Sequence, residues 1–306
     1  MSKSTKWFLI IFGILVFLGL GFALLIYGIA SSLGDQTTEV VTTGNGARIA
    51  VVEVNGVITS SDNVVRQLKK YREDNAIKGI LLRVDSPGGG VVASQEIYEE
   101  VRKTRESGKP IVVSMGALAA SGGYYVSCGA SRLVANRGTL TGSIGVISEF
   151  LQLQDALGKL GVSVKTIKSG KLKDSGSSTR KMTEEDERYF QQLMDDVHRQ
   201  FIDVVERERD LDHDMVVKMA DGRVFTGEQA VENGLVDTLG TFEDAVRITA
   251  DLAGISGEPA IVKERRSHSL WEGIFGDVDE SLTDLKHELL GKPALSYRFV
   301  GPGSLH

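Results

Sequence analysis

The chain has 306 residues, of which 42% are apolar and 25% charged, and a formal net charge of −6. That length and apolar content support a substantial core and exclude a disordered chain, while scattered basic residues under a negative net charge lack the footprint of a nucleic-acid binder. The single cysteine, Cys128, excludes an internal disulfide and a zinc-cysteine site.

In chain order, the first feature is WFLIIFGILVFLGLGFALLIYGIA, an uncharged run of 24 residues from Trp7 to Ala30. At 1.5 Å per residue it exceeds a hydrocarbon core of roughly 30 Å, so residues 1–34 are read as a short N-terminus and a transmembrane anchor. Lys3 and Lys6 precede the run and Asp35 and Glu39 follow it. The positive-inside rule then puts the N-terminus in the cytoplasm and the rest outside, as a single-pass protein of the cell membrane. A cleaved signal peptide is the competing reading, given Gly28, Ala30 and Ser31, but its apolar region usually spans only about 7 to 15 residues.

Residues 35–48, rich in Thr and Gly, read as a linker, and residues 49–256 as the folded domain. IAVVEVNGVI (Ile49 to Ile58), GILLRVD (Gly79 to Asp85) and PIVVSMG (Pro110 to Gly116) are β-branched runs bounded by turn residues. Helical segments at Asp62 to Asp74 and Ser94 to Glu106 separate them, which is an α/β pattern with buried parallel strands. SVKTIKSG, after a helix near Leu151 to Leu160, is expected to repeat the unit. Thr183, with Asp186 three residues on, opens a long helix through a capping box. Asp221 to Gly240 is expected to form a short strand or turn, a helix and a return strand. Residues 257–306 form a charged tail, with Trp271 and an amphipathic stretch near Leu282 to Leu290, to which no role is assigned.

Two glycine turns follow predicted strands: DSPGGG (Asp85 to Gly90) and GALAASGGYY (Gly116 to Tyr125). Ligand sites of open α/β folds lie at the carboxyl ends of strands. Ser121 falls where a helix is about to start, beside free backbone N–H groups, which suits a nucleophile. Gly88 or Gly89, together with Gly122, offers unobstructed N–H groups for the oxyanion of a tetrahedral intermediate. A serine needs a base. The five histidines, His198, His213, His268, His287 and His306, all lie in helical or tail contexts away from the glycine turns. A lysine depressed by burial can serve instead. Lys168, Lys171 and Lys173 in TIKSGKLKDSGSSTR all qualify, and spacing does not choose among them. Ser86 and Asp85 read as turn residues, and Cys128 as a small buried hydrophobe.

At DSPGGG, GALAASGGYYVS, GTLTGSIGV, KSGKLKD and DGRVFTGEQA with GLVD, the sequence resembles the signal peptide peptidase A family. These are short single-domain serine peptidases of the Clp-protease and crotonase-like fold group. The resemblance covers roughly Ile49 to Ala253 and implies a repeated β-β-α spiral after one membrane helix. It implies Ser121 as nucleophile, Lys173 as general base, Ser143 as the residue orienting the lysine, and no metal or cofactor. It further implies peptide substrates, chiefly remnant signal peptides, and homo-oligomers in which neighbouring protomers complete a catalytic groove. Two other classes compete: a crotonase-like enzyme acting on acyl-CoA, and a catalytically inactive membrane scaffold.

Overall fold

A computed structural model describes residues 7, 12–13, 16–22, 24, 38–266 and 295–299. Residues 7, 12–13, 16–22 and 24 are helical, and no helix among the described residues is long and apolar enough to cross a membrane. Much of the expected anchor lies outside the described residues, as do His268, His287, His306, Trp271 and the stretch 282–290. The chain divides into two compact units, residues 1–41 with 263–292 and residues 42–262 with 293–306. The second unit contains the site.

Strands β2 (Arg48–Asn55), β3 (Ile77–Ser86) and β5 (Ile111–Ala120) pair in parallel and form the centre of the sheet. Successive side chains of a strand point to opposite faces, and both faces here are covered, so the strands read as unbroken apolar runs. Ala50, Val52, Ile80, Leu82 and Val113 face the larger core, and Ile49, Val51, Leu81 and Val112 face the smaller one. Helices α1 (Asp62–Glu73) and α2 (Val91–Glu106) cover the larger face. They are joined there by α3 (Gly122–Cys128) and by α5 (Glu184–Arg209), which follows the short α4 (Gln154–Lys159). After α6 (His213–Met219) and α7 (Gly227–Glu232), α8 (Phe242–Leu252) covers the smaller face with Ala245, Val246 and Ala250.

Outward from β5, β6 (Arg132–Ala135) and then β9 (Thr238–Leu239) continue the sheet in parallel. β7 (Leu140–Gly142) pairs with the far end of β5, and β8 (Val224–Thr226) runs antiparallel to β7. The strand, helix and return strand expected over Asp221 to Gly240 are therefore β8, α7 and β9. Thr183 caps α5 through the expected box: its hydroxyl accepts from the Asp186 N–H, and the Asp186 carboxylate accepts from the Thr183 N–H.

Two expectations differ from the structure. The linker contains a strand, β1 (Thr38–Thr43). SVKTIKSG is not a strand: residues 163–168 have no regular structure, and Val164 and Ile167 are exposed because no described neighbour buries them. The tail, given no role from sequence, contains the strand β10 (Ala260–Arg266) and returns to the catalytic region as β11 (Ser296–Arg298), antiparallel to β4 (Gly88–Gly90).

Candidate active site

The sheet aims β5 at the site through a local irregularity. Val84 pairs with Met115 but Ser86 pairs with Ala119, so β5 carries extra residues at Gly116 to Leu118 and bends. Asp85 fills the bend. Its carboxylate accepts from the Leu118 N–H at 3.0 Å, and a Cβ on Gly116 would stand 2.6 Å from its Cγ. Asp85 thus brackets the turn, as its sequence position implies.

Ser121 sits between β5 and α3 with φ 53° and ψ −116°, a conformation that costs a non-glycine residue of order 1–3 kcal/mol. It is held there by its own N–H donating to the Gly142 carbonyl at 2.7 Å and by its carbonyl accepting from Tyr125 N–H at 2.8 Å. The strand, strained turn and helix form the kind of elbow that projects a nucleophile from a sheet. Every residue of α3 is buried. Ser143, the next residue after Gly142, is likewise held at positive φ (51°) and buried, with its N–H donating to the Arg223 carbonyl. Two strained serines therefore stand on adjacent strand ends.

The glycine turns meet at this point. A Cβ on Gly88 would lie 2.5 Å from the Gly122 nitrogen and 2.0 Å from the Tyr297 carbonyl oxygen, and one on Gly122 would lie 2.6 Å from Ser94 Oγ. Glycine is required at both positions for this approach, and Gly88 also has φ +94°. The three proposed oxyanion donors differ in availability. Gly122 N–H has no hydrogen-bond partner among the described residues, whereas Gly88 N–H donates to Ser86 Oγ at 3.0 Å. Gly89 is turned away. β11 bonds β4 at Phe299 N–H to the Pro87 carbonyl and at Val91 N–H to the Leu295 carbonyl, so the alternation of antiparallel pairs makes Gly89 and Tyr297 a hydrogen-bonded pair.

Tyr297 is the site residue that sequence reasoning missed. Its ring, fully buried, stacks on Tyr125 at 5.2 Å and touches Phe201 at 4.8 Å, while its carbonyl oxygen packs against both glycines. No local signal could have found it, because its strand partners, Gly88 to Gly90, lie far earlier in the chain and carry no side chains.

Among the described histidines, neither His198 nor His213 hydrogen-bonds to Ser121. His213 pairs with Glu206, and His198 is half-buried on α5 with Nε2 enclosed. The tyrosines are no better as bases, since burial pushes the Tyr125 phenol up to about 12 and raises those of Tyr98, Tyr124 and Tyr297 still further. Burial also pushes the Cys128 thiol up to about 12, in keeping with an inert apolar role. No group of three metal-ligating side chains occurs among the described residues.

The three lysines separate here. Lys168 donates to Asp174 at 2.5 Å and to the Lys171 carbonyl, and Lys171 pairs with Glu185 at 2.6 Å. Lys173 is exposed, and its ammonium has no hydrogen-bond or ion-pair partner among the described residues. A single chain does not join it to Ser121, which is 1% exposed and makes no bond to any lysine.

Comparison with known proteins agrees with this geometry. Residues 103–256 match Peptidase family S49, and residues 32–150 match Clp protease. A Synechocystis sp. protein named as a protease is 46% identical over 70% of this chain and 77% of its own length. An Enterococcus faecium protein named as signal peptide peptidase SppA is 42% identical over 69% of this chain and 66% of its own. Protease 4 of Salmonella typhi is 40% identical over 82% of this chain, which spans less than half, 42%, of that relative. The elbow at Ser121, the parallel-rich sheet beneath it and these relatives lead to one assignment: the chain belongs to peptidase family S49, and it is a serine peptidase of the signal peptide peptidase A kind.

Proposed function

We propose that the peptidase works through a Ser121–Lys173 dyad completed between two copies of the chain. The observation that carries this reading is the division of the site within one chain. A buried, strained serine lies beside an open amide, while the unpartnered lysine stands exposed on a separate loop. The arm before that loop carries apolar side chains that nothing described covers, with Ile167 91%, Leu160 76% and Leu151 69% exposed. An unpartnered apolar arm beside an unpartnered base favours a second copy as the cover, since apolar patches of this kind mark interaction surfaces.

In the proposed cycle, docking desolvates Lys173 and favours its neutral amine. The amine takes the Ser121 proton, Oγ attacks the peptide carbonyl, and the lysine then protonates the leaving amine before water hydrolyses the acyl-enzyme. Gly122 N–H stabilises the oxyanion, with Gly88 N–H as second donor once it exchanges Ser86 Oγ for that stronger acceptor. Ser143, strained beside Ser121, orients the incoming ammonium. Remnant signal peptides are the proposed substrates. They suit a domain tethered by the N-terminal run to the outer side of a membrane. Neither an acyl-CoA enzyme nor an inactive scaffold accounts for the unpartnered lysine as well.

Hydrolysis of a hydrophobic peptide by the full chain tests the dyad. Ser121→Ala and Lys173→Ala should each lose about 10³-fold or more in kcat with the fold retained. Full activity in either variant would exclude that residue's role.

A further inference from the structure

The loop that carries Lys173 has no strand or long helix to hold it, yet the residues on its C-terminal side are tied down. Asp174 accepts from Arg180 at 2.9 Å and from Lys168 at 2.5 Å. Ser175, the next residue, donates its hydroxyl to Asp186 at 2.5 Å. Arg180 binds Asp186 as well, at 2.6 Å and 3.1 Å, so one guanidinium spans two carboxylates. Asp186 belongs to the capping box of α5 and is almost fully buried. Below the loop, Gly176 at φ +79° leaves room for the Phe150 ring, which packs on Phe190 of α5 at 4.3 Å.

The anchoring helix is also the one that touches the nucleophile's helix. Phe201 of α5 packs on Tyr125 of α3 at 5.0 Å, four residues from Ser121. A planar fork that holds two carboxylates loses less conformational freedom per bond than a lysine would. Such a clamp fixes the backbone on one side of Lys173 while leaving the ammonium unpartnered.

We infer that Arg180 is a positioning residue for catalysis, setting through Asp174 and Asp186 the place from which Lys173 reaches the nucleophile. This rests on Lys173 being the base. Arg180 touches neither substrate nor reacting atoms, so its effect should travel only through Lys173. Without it Asp174 keeps Lys168 and Lys171 keeps Glu185, while Asp186, whose one cation among the described residues is Arg180, keeps the Ser175 hydroxyl and the Thr183 N–H and hydroxyl as donors. Its removal should therefore misplace the base more than it unfolds the domain.

The experiment uses the full chain and a hydrophobic peptide substrate, with melting temperature and assembly mass recorded for each variant. Arg180→Gln is expected to lower kcat about 30-fold with KM within twofold, and Arg180→Lys to recover part of the loss. In the Lys173→Ala background, Arg180→Gln should add nothing further when Ser121 is followed by its labelling with a fluorophosphonate, because residues acting through one another are not additive. Equal loss from Arg180→Gln with and without Lys173 would overturn the inference, as would a kcat within twofold of wild type. If Arg180→Gln lowers the melting temperature, Asp174→Asn, which cuts only the loop side of the clamp, decides: a kcat loss at unchanged melting temperature supports the inference, and its absence refutes it. Full activity in Lys173→Ala would instead remove the base assignment itself, a separate failure.

Discussion

The two halves of the proposed active site are built in opposite ways. Ser121 is part of the core: a strained residue clamped between a bent strand, a wholly buried helix and glycines whose missing side chains let three segments touch. Lys173 stands on an exposed loop, held by a charged clamp to the start of α5 and not by apolar packing. A nucleophile must be rigid to keep a costly conformation, and the core supplies that rigidity. On the proposed reading, a base delivered to another copy of the chain must instead be presented outward. Its desolvation would then come only on assembly, and the unassembled chain would be inactive.

Substitutions of glycine break the comparison most sharply. Gly88→Ala should cost about 100-fold or more in activity and lower the melting temperature. Its Cβ would stand 2.0 Å from the Tyr297 carbonyl, at a φ of +94° that strains any side chain. Gly170→Ala, three residues before Lys173, meets nothing within 4 Å and should change kcat by less than twofold. Paired melting and kinetic measurements on both variants check the contrast, and equal sensitivity would show that the base loop is as tightly packed as the elbow.

The pH dependence separates the two halves by a smaller effect. Arg180, first, and Lys168 hold the Asp174 carboxyl down to about 2, and Asp186 is lowered further by Arg180 and Ser175. A carboxyl whose folded value lies below its ordinary one of about 3.9 contributes stability above that ordinary value and loses it as pH falls through the folded one. The clamp should therefore stay intact from pH 7 down to about 4. Activity should fall with acid all the same, because a general base must accept the Ser121 proton. Circular dichroism and kcat against pH should accordingly diverge, the first flat and the second declining with acid.

Much of this was legible in the sequence where causes are local. β-Branched runs became β2, β3 and β5 because both their faces are buried, and Ser121 fell at a strand-to-helix turn opened by Gly122 and Gly123. Thr183 and Asp186 capped α5 three residues apart as such pairs do. What escaped was non-local. SVKTIKSG, placed after a helix, reads as a repeat of the unit, but a strand needs a neighbour, and none is described. Which of Lys168, Lys171 and Lys173 stands unpartnered depended on Asp174 and Glu185 taking the other two. Gly88 and Gly89 looked equivalent until β11 returned from the far end of the chain and occupied Gly89.

The central claim, that one copy's serine meets another copy's lysine, is tested most directly by mixing. Ser121→Ala and Lys173→Ala chains, each inactive alone, are co-refolded and assayed against a hydrophobic peptide. The account predicts that the mixture regains a substantial fraction of wild-type activity, since some junctions then unite an intact Ser121 with an intact Lys173. Mixed assemblies demonstrated by mass that stay as inactive as their parents would contradict it.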